Sequence, residues 1–116
     1  MTSEPSSLIK EIRQTDEATV VVLSGDVDLH QSPDLHARLV EVAVDRPKRL
    51  MLNLTEVPYM DSSGVGTLVE VFRRVSAYQG KLVLFGLNSR VRSVFEITKL
   101  DRFFTICETE DQAAQA

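Results

Sequence analysis

The sequence predicts one α/β domain, a mixed, mostly parallel sheet of four to five strands with helices packed against it. Three observations carry that expectation. Apolar runs at 19–23, 50–54 and 81–85 alternate with segments whose apolar residues recur at helical spacing. The first two strand candidates are joined by a short polar turn, which favours an antiparallel hairpin and makes the sheet mixed. The chain has 116 residues, one domain's worth, with no internal repeat and no low-complexity linker.

The elements follow in order. Residues 1–7 (MTSEPSS) are small and polar and read as a flexible tail, with the domain over 8–116. Residues 9–13 form the weaker strand of the hairpin, turned through 14–17 into the β-branched run 19–23, which ends at Gly25. Ser32-Pro33-Asp34 is a helix start: serine can cap free amides, proline fits the first turn, and aspartate suits the positive end. Leu35, Leu39 and Val42 continue that helix and Pro47 stops it. A strand over 50–54 and a loop over 55–60 come next.

A long helix is then predicted, with Val65, Leu68, Val69, Phe72 and Val75 on one apolar face and Gly80 at its end. After the strand 81–85, Asn88-Ser89 caps a third helix whose Val91, Val94, Phe95 and Thr98 share a face. Residues 100–106 read as a short strand or extended segment, and 109–116 as a short last helix.

Composition excludes several classes. A net charge of -4 argues against a general nucleic-acid binder. No apolar run approaches the roughly 20 residues needed to cross a bilayer, and the start lacks a basic segment followed by an apolar core. The expected location is cytoplasmic. The lone cysteine, Cys107, reads as a small buried hydrophobe. His30 and His36 lack an HExxH context, so no metal site is expected, and a surface role suits both. No phosphate loop, GxSxG elbow or complete dinucleotide fingerprint is present. The chain reads as a non-enzyme with no cofactor.

The segment Tyr59-Met60-Asp61-Ser62-Ser63-Gly64-Val65-Gly66 lies between a strand and a helix, where α/β folds tend to place functional groups. Asp61, Ser62 and Ser63 are all good helix caps, and one would suffice, which leaves a hydroxyl free to face solvent. Gly64 and Gly66 are poor helix formers, so another backbone should approach closely there, from within the fold or from a partner. A phosphate at a helix amino end is tolerated by its own domain, yet it adds about two negative charges to any surface that docks there. The alternative is that both serines only cap the helix and both glycines only allow tight packing. Asp26 and Asp28, after the buried strand, would point to one side of an extended segment. They fit a cation or acid/base site, or else turn residues and helix caps.

In this order and spacing, three stretches resemble the STAS family and most of all its stand-alone anti-sigma factor antagonists. They are Gly25-Asp26-Val27-Asp28, Leu52-Asn53-Leu54 leading into Tyr59–Gly66, and the closing stretch from Val91 to Asp101. The resemblance implies a small mixed sheet with packed helices. It also implies a partner switch: the unphosphorylated antagonist binds an anti-sigma factor that is a serine kinase, freeing a sigma factor for transcription. That kinase phosphorylates the serine that maps to Ser62, and a PP2C-type phosphatase restores the binding form.

In the family the acid at Asp28 lies near that serine and contributes to partner contact. The partner surface expected here combines Asp28, Asp61, Ser63 and Gly64 with an outward stripe of Gly66, Glu70 and Arg73. Lys99 departs from the pattern, since many relatives carry glycine there, and an effect on a turn is expected. A monomer is the default. The alternative function is a non-phosphorylated STAS adaptor or scaffold, as in a stressosome or a lipid-transport complex.

Overall fold

The computed structural model describes residues 8–116, so the tail expected at 1–7 lies outside the described residues. The order is β1 (Ile9–Gln14), β2 (Thr19–Ser24), α1 (Ser32–Val44), β3 (Arg49–Glu56), α2 (Ser62–Ala77) and β4 (Lys81–Phe85). Then come α3 (Ser89–Ile97), a 3-10 turn (Leu100–Arg102), β5 (Thr105–Cys107) and α4 (Glu110–Gln115). The five strands lie in sequence order across one sheet. β1 runs antiparallel to β2, and the other neighbours pair in parallel. The mixed, mostly parallel sheet is therefore as expected.

Alternate strand residues face opposite sides. Val21, Leu23, Leu50, Leu52, Leu54, Leu82 and Leu84 join Leu35, Leu39, Leu68, Val71, Val91 and Phe95 of the helices in the main core. Val20, Met51, Val83 and Phe85 point to the other face, where Ala113 of α4 packs on them. So short a helix needs polar ties as well. Glu110 pairs with Arg13 at 3.0 Å, and the Arg49 guanidinium donates to the carbonyls of Ala113 and Ala116.

Several local expectations are corrected. Ser32 is not the α1 cap: that position is Gln31, which caps with no side-chain hydrogen bond, while the Ser32 hydroxyl donates to the Asp28 carbonyl at 2.8 Å. The turn before the helix is held from Asp28 instead. The buried face of α2 runs through Gly64, Val65, Thr67, Leu68, Val71 and Val75, whereas Val69 and Phe72 are only half-buried. They flank the core because the sheet lies under α2 to one side. On the other side they line a groove of about 250 Å³ with Arg73, Leu100, Phe103 and Phe104.

The left-handed residue that ends α2 is Gln79 (φ 69°), not Gly80. The short strand or extended segment expected over 100–106 is present as the strand Thr105–Cys107, but its first part is a 3-10 turn, because Phe104 turns inward onto Phe95 and Phe72. Cys107 is half-buried at the sheet edge rather than fully buried. Lys99, the departure noted above, sits in the left-handed region with φ 64°.

Candidate functional site

The site stands at the carboxyl ends of β2 and β3, the end of a parallel sheet where loops carry groups in such folds. Two loops meet there. Val27 bridges Met60 in parallel: the Val27 amide donates to the Tyr59 carbonyl at 2.9 Å, and the Asp61 amide donates to the Val27 carbonyl at 3.2 Å. Gly64 permits this approach. A β-carbon there would meet Val27 Cγ1, the Val27 carbonyl oxygen and Met60 Cγ, all within 3 Å. The expected close approach at Gly64 therefore comes from within the fold. Gly66 has nothing within 4 Å of the same position and opens to solvent.

Of the three possible caps, Asp61 is the one used. Its Oδ1 accepts from the Ser63 and Gly64 amides at 2.9 and 3.2 Å. Its Oδ2 accepts from the Leu29 amide at 3.2 Å, which ties the loop after β2 to the start of α2. Ser62 is the first helical residue and is exposed, and its hydroxyl engages no partner among the described residues. One carboxylate thus satisfies the helix end and leaves the neighbouring hydroxyl accessible.

Asp26 and Asp28 are not a matched pair. Asp26 is exposed, while Asp28 is half-buried and its Oδ1 accepts from the His30 and Gln31 amides at 3.0 and 3.1 Å. That is the turn-capping alternative. Among the described residues, no group of three or more His, Cys, Asp or Glu is placed to hold a metal ion. His30 is exposed and His36 half-buried.

On the outward side of α2, Gly66 and Arg73 are exposed. Glu70 is half-buried and pairs with Arg74 at 3.4 Å, a surface contact worth little by itself. The structure thus gathers Asp61, Ser62 and Ser63 with the Asp28 turn at one end, and sets Gly66, Glu70 and Arg73 along the helix that leaves it. One apolar neighbour escaped the sequence reading: Leu29 is 67% exposed, on the loop facing that of Tyr59, which is 39% exposed. A leucine set among Asp28, His30 and Gln31 was the available signal.

A family model described as the STAS domain matches residues 10–113. The chain belongs to the STAS family. Among its relatives, an anti-sigma-B factor antagonist of Listeria monocytogenes is 38% identical over 104 residues, 90% of each chain. The crystal structure of an anti-sigma factor antagonist from Mycobacterium paratuberculosis superposes with a TM-score of 0.85. It is 25% identical, and the match covers 98% of this chain and 97% of that one. The Bacillus cell fate determinant SpoIIAA in its phosphorylated form gives a TM-score of 0.69 at 25% identity, covering 90% and 96%. The five-stranded mixed sheet described above is the one this STAS domain shares with them. No helix among the described residues is long and apolar enough to cross a membrane.

Proposed function

We propose that this STAS protein is a cytoplasmic anti-sigma factor antagonist controlled at Ser62. With Ser62 unmodified, the monomer docks the amino end of α2 on an anti-sigma factor that is also a serine kinase, and a sigma factor is released. Phosphorylation of Ser62 by that kinase ends the contact, and a PP2C-type phosphatase reverses it. The observation that carries this reading is the exposed, unengaged Ser62 hydroxyl beside an Asp61 that already caps the helix. Relatives named as anti-sigma factor antagonists, and a structural neighbour solved in a phosphorylated form, support it.

The physical basis is an asymmetry. A phosphate here sits at the positive amino end of α2 when the domain is alone, so the fold bears it readily. Docking would have to bury a dianion next to the Asp61 carboxylate, and desolvation and like-charge repulsion oppose that. Asp28, Asp61 and Ser63 frame the contact, and Gly66, Glu70 and Arg73 extend it along α2. Gly64 supports it from below.

The deciding experiment measures capture of the cognate anti-sigma factor kinase by purified wild type, Ser62→Ala and Ser62→Asp, with phosphopeptide mapping after kinase treatment. Ser62→Ala is expected to bind and stay bound, Ser62→Asp to bind poorly, and the phosphate to map to Ser62. Equal capture by phosphorylated and unphosphorylated protein, or a phosphate on Ser63, would overturn the reading.

A further inference from the structure

At this end of the molecule the two carboxylate oxygens of Asp61 serve different elements. Oδ1 holds the first free amides of α2, and Oδ2 holds the Leu29 amide of the loop after β2. Leu29 lies one residue beyond Asp28, whose own carboxylate closes the next turn through His30 and Gln31. Leu29 therefore has a fixed backbone and a side chain that is two-thirds in water. An apolar side chain held rigid in solvent loses little freedom on docking.

We propose that Asp61 is the positioning residue of this site: it locks Leu29 beside Ser62, and a phosphate on Ser62 breaks that lock. The inference rests on the proposed role of Ser62 as phosphate acceptor and adds how the modification reaches beyond its own side chain. A phosphate on the first helical residue lies within reach of the same amides that Oδ1 now occupies, and it is a stronger acceptor for them than a carboxylate oxygen. The two anions cannot share those donors without repulsion. The carboxylate turns away and its Oδ2 leaves the Leu29 amide. Phosphorylation then acts twice, by adding charge at the helix end and by loosening the apolar residue next to it.

The test needs no partner. Amide hydrogen exchange at Leu29 is followed by NMR in three forms of the full chain: unmodified, carrying phosphoserine installed at position 62 during synthesis, and Asp61→Asn. Asparagine remains a good helix cap through its one amide oxygen but offers no second acceptor to Leu29, so it separates the lock from the cap. Exchange at Leu29 should rise about tenfold in the phosphoserine and Asp61→Asn forms, the change allowed by loss of one hydrogen bond. The core amides of Val21 and Val83 should be unaffected.

Unchanged Leu29 exchange in the phosphoserine form overturns the proposal, even if that form has lost its partner. Unchanged exchange in Asp61→Asn does so as well, because Oδ2 would then hold nothing. Should Asp61→Asn fail to fold, the phosphoserine form alone decides. Failure of the Ser62 switch itself is read separately, as equal partner capture with and without phosphate.

Discussion

Gly64 lies against Val27 so closely that a β-carbon on it would sit 2.6 Å from Val27 Cγ1 and 2.7 Å from the Val27 carbonyl oxygen. Two residues further along the same helix, the equivalent position on Gly66 meets nothing. The two glycines of one motif therefore have different work. The first lets the loop after β2 reach the start of α2, so that Asp61 can hold both. The second leaves an open patch on the outward face.

That difference predicts opposite signs for one substitution. Gly64→Ala should lose about 1–3 kcal/mol of stability through overpacking against backbone that cannot yield. Gly66→Ala should gain about 0.5–1 kcal/mol, because alanine is the better helix former and the space is empty. Urea denaturation of both variants checks this, and a stabilising Gly64→Ala would contradict the described contact.

Leu68 is fully buried, whereas Val69 next to it is only half-buried along the groove. Leu68→Ala should lower stability by about 2–5 kcal/mol. Val69→Ala should lose clearly less. Equilibrium unfolding of the pair would show comparable losses if α2 were rotated from its described position.

Lys99 holds a left-handed backbone with φ 64° between α3 and the 3-10 turn, and its side chain is exposed. Lys99→Gly relieves that conformation and should stabilise the domain by about 1 kcal/mol. A higher Tm in calorimetry is the expected result. A lower one would mean that the lysine makes a compensating contact.

Burial raises the pKa of the Tyr78 phenol above its ordinary value of 10.0, against a smaller opposing effect from the Arg46 cation. The phenol also donates to the Pro47 carbonyl at 2.9 Å. The folded state therefore holds this proton more tightly than the unfolded one. The contribution is complete below pH 10 and is lost as pH rises through the folded value. Denaturation midpoints should fall above about pH 10, and the Tyr78 ring resonances should titrate above that point. Tyr78→Phe should remove that part of the pH dependence.

Arg73 is exposed on the outward side of α2, eleven residues beyond Ser62, and borders the groove with Phe72 and Phe103. Arg73→Glu should weaken capture of the proposed anti-sigma factor partner while leaving urea stability unchanged. Binding at the wild-type level would confine the contact to the helix end.

Much of the fold was legible because it rests on local periodicity. The β-branched run of β2, the apolar runs of β3 and β4, the capping run Asp61-Ser62-Ser63 and the cap at Asn88 each declare themselves within a few residues. The errors came where a neighbour in space decides. Val69 and Phe72 fit a helical stripe as well as Val71 does. Which of them is buried depends on where the sheet lies under α2. Residues 100–106 look extended until Phe104 must reach Phe95.

The sequence by itself determined that Asp61, Ser62 and Ser63 begin a helix, since capping chemistry acts over two or three residues of chain. It also determined the alternation that builds a mixed sheet. Only the tertiary structure decided that Asp61 is the cap, that Ser62 is left in water, and that Leu29, 32 residues earlier, hangs from the same carboxylate. Such a contact carries no periodic signal. It exists because two parallel strands end side by side and bring their loops within hydrogen-bonding distance.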